Sequence, residues 1–464
     1  MIKRKRAFAL DPTKTVILSF ALMILIGALL LTLPISSKSK EFTPFIDALF
    51  TATSANCVTE LVVVDTASHW SVFGQVVILM LIQFGGLGLM TLLTIGMVVL
   101  GKRISLKNRL VIQATFNQEN IGGMVKLVNA VIIITFVFET VGAILLTAGF
   151  YLTGIPFGGA LYRGIFQSVS SFCNAGFDIL GSKSLIPYSS NIFILTVIMV
   201  LIVSGGLGFP VWSELLINRK KYSGKTSIKK RLSGLSLHTK LTLTTTSVLI
   251  LIGTLLFFVF EYDNPFTIGN DGIGQKWFSS LFQSVTLRTC GYASIDQGGL
   301  NETSKLLSCV LMYIGGSPSG TAGGIKTVTF ALIIVSMIST LKGKNKTEVF
   351  RRSVKDGYLL RCLTVANTFL IVMLVSTYLL NAVERNNAFE HTLLDLLFEI
   401  SSAMGTVGVT TGITPHLSNA GKLIVTSCMY IGRISPMALI IALNARYRSD
   451  FDTIRYPDEG LIIG

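Results

Sequence analysis

Charge is scarce in this chain. Charged residues make up 14% against 51% hydrophobic, and the mean hydropathy is +0.66. Soluble domains carry about a quarter charged residues, so this composition excludes an ordinary soluble protein and points to an integral membrane one. The four histidines, at 69, 238, 391 and 416, are too scattered for a ligand cluster, and no metal-binding cluster is expected. The six cysteines show no paired CxxC spacing. Buried, unpaired thiols are therefore expected over a disulfide or redox role. No GxGxxG or GxxxxGK[ST] lies in a suitable strand–helix context, so no nucleotide site is expected in this chain. The spans hold no Ser/His/Asp, HExxH or carboxylate-pair constellation, and the chain is not expected to be an enzyme.

What is present is repetition. Four stretches begin with Phe and run through small residues: Phe50-Thr-Ala-Thr-Ser-Ala-Asn-Cys-Val-Thr-Glu60, Phe166-Gln-Ser-Val-Ser-Ser-Phe-Cys-Asn-Ala-Gly176, Phe282-Gln-Ser-Val-Thr-Leu-Arg-Thr-Cys-Gly291 and Phe398-Glu-Ile-Ser-Ser-Ala-Met-Gly-Thr-Val-Gly408. Their last residues lie 116, 115 and 117 positions apart. So regular a period means four copies of one unit. Each stretch sits between two apolar segments near the roughly 20 residues that cross a bilayer. These segments are 14–34, 72–100, 125–153, 191–217, 239–261, 304–340, 358–381 and 421–445. The chain thus reads as a single all-α polytopic membrane domain, 1–464. Its eight transmembrane helices form four helix–pore loop–helix repeats (14–100, 125–217, 239–340 and 358–445) around a central pore. Val16 to Leu33 is too long for the apolar core of a signal peptide and is kept as a span.

The net charge of +15 is distributed unevenly. Basic residues collect at Lys3 to Arg6, Lys102 to Arg109, Arg219 to Lys240 and Lys342 to Arg361, and in the tail at Arg446, Arg448 and Arg455. These join the repeats, so nucleic acid is a poor fit. The positive-inside rule places all five segments, and both termini, in the cytoplasm. Every Phe-led stretch then enters from the outer side. Each starts as a helix and stops at glycine or polar residues. Non-helical backbone at membrane depth is tolerated only where protein or a water-filled cavity surrounds it.

The second helix of each repeat has its own mark: Gly85-Gly-Leu-Gly88, Gly205-Gly-Leu-Gly208, Gly315-Gly316 and Gly432-Arg433. Such glycines serve close helix contact, or leave room for the re-entrant segment and let the helix bend. In the third repeat the pair continues as Gly315-Gly316-Ser317-Pro318-Ser319-Gly320-Thr321-Ala322-Gly323-Gly324-Ile325-Lys326. With a proline and five glycines, this stretch must break the helix from 304 to 340 near mid-membrane. A mobile loop below the filter is the favoured reading, a simple kink the other.

The extended segments Asn174-Ala175-Gly176-Phe177, Thr289-Cys290-Gly291-Tyr292 and Thr406-Val407-Gly408-Val409 are close to a potassium-channel Thr-Val-Gly-Tyr, with Thr59-Glu60 in the matching place of the first repeat. Backbone carbonyls aimed in a row at one axis replace the hydration shell of a cation, and glycine permits the dihedrals this needs.

On these motifs the chain resembles, over its whole length, the membrane subunit of the Ktr/Trk/HKT potassium transporter superfamily, and the KtrB type most of all. The resemblance implies a selectivity filter at Thr59, Glu60, Asn174, Ala175, Gly176, Cys290, Gly291, Val407 and Gly408, with potassium as the transported ion and sodium as a possible activator. It implies an intramembrane gate formed by Gly315, Gly316, Ser317, Pro318, Ser319, Gly320, Thr321, Ala322, Gly323, Gly324 and Lys326, with Arg433 projecting beneath the filter. Alternatively Arg433 pairs with an Asp or Glu and locks helices together. It also implies a bacterial plasma-membrane location, a homodimer, and a cytosolic nucleotide-binding ring (KtrA-like) as gating partner. The basic segments suit such a partner or anionic lipid. One position departs: the family has glycine where this chain has Glu60. The competing architecture, an alternating-access secondary transporter, commonly uses inverted repeats, whereas these four share one orientation.

Overall fold

In the computed structural model the described residues are 12–88, 124–221, 233–344, 346–355 and 357–434. The basic segments at 3–6 and 102–109, the 222–232 part of the 219–240 cluster, the tail arginines and the distal ends of the spans 72–100 and 421–445 lie outside them.

Each repeat opens with a long apolar helix: α1 Pro12–Thr32, then α5 Met124–Leu152, α9 Leu237–Phe260 and α13 Tyr358–Glu384. Among the described residues these are the four unbroken helices long and apolar enough to cross a bilayer. Leu18, Leu22, Leu25 and Leu29 of α1, and Leu251, Leu255 and Val259 of α9, are exposed along one face. An apolar face left uncovered by protein suits lipid.

The Phe-led stretches form the second helix of each repeat: α2 Phe45–Cys57, α6 Phe157–Phe172, α10 Ile273–Thr286 and α14 Leu393–Gly405. These helices are too short to span. Phe50, Phe166, Phe282 and Phe398, the residues that lead each stretch, are all fully buried. They anchor each short helix in the core, so its helical stability comes from packing as much as from propensity.

The inner helices close the repeats, and in the second repeat the continuous span of the sequence reading gives way to a broken one. In the first, a four-residue turn α3 (Thr66–His69) precedes α4 (Val72–Leu87), which ends where Gly88 takes φ +82°. In the second, α7 (Ile192–Gly206) stops at Leu207-Gly208, Gly208 has φ +88°, and α8 (Phe209–Lys221) leaves at 95°. In the third, α11 (Glu302–Tyr313) and α12 (Thr327–Leu341) flank the glycine-rich loop, as its composition required. A hairpin of β1 (Glu348–Val349) and β2 (Arg352–Ser353) follows, before the fourth repeat ends with α15 (Asn419–Ile434).

Ties between neighbouring repeats recur at matching places. Lys422 on α15 pairs with Asp47 on α2 at 2.7 Å, and Lys305 on α11 pairs with Asp395 on α14 at 2.8 Å. Between the first and second repeats, Tyr162 on α6 donates from its hydroxyl to Gln75 on α4 at 2.8 Å. Each joins an inner helix to the short helix of the next repeat, as a closed ring of four requires.

Candidate ion pathway and gate

All four short helices run into a left-handed residue. Val58, Asn174, Thr289 and Thr406 take the left-handed conformation, with φ of 62°, 57°, 75° and 51°. Thr59, Ala175 and Val407 then donate from their amides to the carbonyls five residues back, at 2.8, 2.8 and 2.9 Å. Val58, Asn174 and Thr406 bond the carbonyls three back. These paired bonds are a Schellman ending. In the third repeat Cys290 and Gly291 share the carbonyl of Thr286 instead, consistent with its stretch being one residue shorter.

Two residues further on, φ is positive again: 74° at Glu60, 71° at Gly176, 101° at Gly291 and 103° at Gly408. A left-handed residue on either side of an ordinary one turns successive carbonyls toward the same side of the chain. That is the backbone requirement for a ring of oxygens. Val58, Thr289 and Thr406 are β-branched residues in a region that disfavours them, a strain the surrounding packing sustains.

The glycines show how the segments meet. A Cβ on Gly176 would collide with the carbonyl of Cys290, one on Gly291 with that of Val407, and one on Gly408 with that of Thr59. The first, third and fourth repeats thus each present a backbone oxygen to the glycine of the repeat before them in the ring. Thr59, Glu60, Asn174, Ala175, Gly176, Cys290, Gly291, Val407 and Gly408 are therefore brought together around one axis.

Glu60 breaks the symmetry. Its carboxylate oxygen Oε2 lies against both Gly176 and Gly291, the latter in the diagonally opposite repeat. The side chain therefore reaches across the ring. Oε2 is buried and has no hydrogen-bond partner. It is not turned behind the segment toward a backbone or hydroxyl donor.

The inner-helix glycines make room for these segments. Cβ atoms on Gly85, Gly205 and Gly432 would collide with the carbonyls of Asn56, Phe172 and Met404, at equivalent points of the last turn of α2, α6 and α14. The close contact is with the re-entrant helix.

Below lies the loop from Ile314 to Lys326, and it fills the break in the second repeat. Ser317 and Thr321 donate from their amides to the carbonyls of Gly206 and Gly205 at 2.9 and 3.3 Å. Phe209 donates in turn to the carbonyl of Ser319 at 3.1 Å. The loop and the broken helix satisfy each other's backbone groups, which is how irregular chain persists at membrane depth. Within the loop, Ile314 bridges Ile325, Ser317 Oγ meets Thr327 Oγ1 at 3.0 Å, and Ser319 and Gly324 take φ of 58° and 65°. Gly315, Gly316, Pro318, Gly320, Ala322 and Gly323 complete its course, and Lys326 Nζ donates to the carbonyl of Ala322 at 2.7 Å.

The loop also touches the ring. Thr321 Oγ1 donates to Asn174 Oδ1 at 2.8 Å and to the Phe172 carbonyl at 3.2 Å, while Gly323 abuts the hydroxyl of Thr406. Arg433 donates to the carbonyls of Thr321, Gly85 and Gly86. No carboxylate is among these bonds. The guanidinium joins the loop to the buried C-terminal end of α4, where carbonyls left without intrahelical partners attract a cation.

Sequence reasoning missed several supports. Arg288 Nη2 donates to the Gly315 carbonyl at 3.1 Å and holds the loop from its other side. Gln283 and Gln297 exchange two bonds at 2.6 and 3.0 Å, and Glu399 accepts from the hydroxyls of Thr410 and Thr414. Tyr292 donates to the Phe177 carbonyl at 3.3 Å. A signal was available: Gln167, Gln283 and Glu399 all directly follow the leading Phe. At the end of α3, burial holds His69 below the usual imidazole range, opposed by Asp47, and its ring meets the Thr43 hydroxyl at 3.0 Å.

Next to the ring lies a cavity of about 330 Å³. It is lined by Glu60, Asp65, Asp178 and Asp296, against a single basic residue, Lys183, among the described residues lining it.

Comparison with known proteins gives a consistent answer. Residues 3–451 match the TrkH family, described as cation transport protein. The chain is similar to the potassium/sodium uptake protein NtpJ of Enterococcus hirae, 37% identical over all of both chains. It is also similar to the Ktr system potassium uptake protein B of Bacillus subtilis, 39% identical over 98% of this chain and 97% of that one. Among solved structures, the potassium transporter TrkH from Vibrio parahaemolyticus superposes with a TM-score of 0.73, covering 96% of this chain and 87% of that one at 16% identity, a likeness of fold.

Proposed function

This chain belongs to the TrkH family of cation transport proteins, and on that premise we propose that it takes up potassium through a channel-like pore. The carrying observation is the closed ring of four segments, each with two left-handed residues and three with glycine against a neighbouring carbonyl. The filter is the ring at Thr59–Glu60, Asn174–Gly176, Cys290–Gly291 and Val407–Gly408. The gate is the loop 315–326 with Arg433. Ions move down their electrochemical gradient, with sodium as an activating ion. The relative named as part of a Ktr system supports a multi-component assembly. In it a cytosolic nucleotide-binding subunit acts on the gate of a homodimer in a bacterial plasma membrane.

Rubidium uptake into liposomes carrying the full chain tests the pore, and Glu60→Gly tests its departure from symmetry. A carboxylate about 4 Å from a cation, at an effective dielectric near 20, attracts it by roughly 4 kcal/mol. Conduction also requires ions to leave. Glu60→Gly is expected to weaken apparent cation affinity by about tenfold or more while sharpening discrimination of potassium against sodium. Identical affinity and selectivity in the two proteins would remove the carboxylate from permeation.

Orientation has its own test. With the basic segments inside, a cysteine at Asn270 should react with an impermeant maleimide on intact cells, and one at Lys225 only after permeabilisation. Labelling at 225 from outside would reverse the topology.

A further inference from the structure

We infer that the outer filter is a divalent-cation site, in which the Glu60 carboxylate binds calcium directly and calcium thereby blocks monovalent permeation. The inference rests on the pore reading above and adds a ligand to it. Three observations meet at one point. Glu60 Oε2 is buried without a partner and lies on the ring between Gly176 and Gly291. The carbonyls of Thr59, Cys290 and Val407 crowd the same ring. Next to them is the acidic cavity.

The chemistry follows from the donors. An anionic oxygen among backbone carbonyls is a hard, all-oxygen set, the kind calcium takes in coordination numbers of about six to eight. A ring of carbonyls alone suits a monovalent ion, whose hydration shell neutral dipoles can replace, whereas a doubly charged ion is held by its water too strongly for dipoles alone. The added carboxylate changes the balance, since its attraction for a doubly charged ion is twice that for potassium at the same distance. Asp65, Asp178 and Asp296 accept from the amides of Ser68, Leu180 and Gly298 at 2.7, 2.9 and 3.1 Å. They are committed to their own turns. Their part is to raise the local concentration of divalent ions in the cavity.

Rubidium uptake into liposomes by the full-length protein, measured while external calcium chloride is raised, tests the block. Half-block should need at least about tenfold less calcium in the wild type than in Glu60→Gly or Glu60→Gln. Equal sensitivity in all three overturns the inference. Equilibrium dialysis of the purified full chain against radiolabelled calcium provides a measure independent of transport. One site per chain should be lost in Glu60→Gln and retained in Glu60→Asp. Calcium binding that is the same in wild type and Glu60→Gln also overturns it. Should the wild type carry no rubidium, the pore reading fails, while a Glu60-dependent calcium site would still stand.

Discussion

Replacing Gly408 with alanine should reduce rubidium uptake by about a hundredfold or more while the protein still inserts. Two costs act together. At φ +103° an L residue is strained by about 1–3 kcal/mol. The new Cβ would also strike the carbonyl of Thr59 and the Cβ of Glu60. Backbone cannot yield as a side-chain tip does, so the ring must open and its oxygens lose their common axis. Gly154→Ala separates the two costs. Gly154 has φ +91° but nothing within 4 Å of the added Cβ. It should lose a comparable amount of stability and keep its flux. Uptake lost equally in both variants would mean that strain, and not the ring, sets the effect.

Removing Ser317 to Gly323 should raise uptake and reduce dependence on a cytosolic partner. The deletion also leaves the carbonyls of Gly205 and Gly206 without the amides that now satisfy them, so the melting temperature should fall. Arg433→Gln is the gentler version. Hydrogen bonds to a charged group contribute about 1.5–3 kcal/mol each. Loss of those to Thr321, Gly85 and Gly86 should shift a closed loop toward open by about tenfold or more. Uptake that stays flat or vanishes in a variant that still folds would count against gating by this loop.

The repeat, the four long helices, the break between 304 and 340 and the ring residues were legible in the sequence because each rests on a local rule: period, apolar length, or glycine content. The break at Leu207-Gly208 was half visible. Gly205-Gly206-Leu207-Gly208 allowed a bend as one of two readings, but the loop that docks there from another repeat, and satisfies the broken backbone, is written in a distant segment. Arg433 was visible as a charge in an apolar helix, but its carbonyl partners come from Gly85, Gly86 and Thr321, distant in sequence. Glu60 was visible as a departure. That it reaches the opposite repeat follows from the closure of the ring, which no local pattern encodes.

Because all four quarters of the ring belong to one polypeptide, a coding change alters one of them alone. In a channel assembled from four identical subunits, the same change would appear four times. Four glutamates at φ near +74° would multiply the backbone strain, and four carboxylates at one axis would repel one another too strongly to share ionised states. Here a single acidic residue stands among three glycines. A ring closed by one polypeptide thus permits arrangements that no homotetramer can reach, in which charge is adjusted one unit at a time.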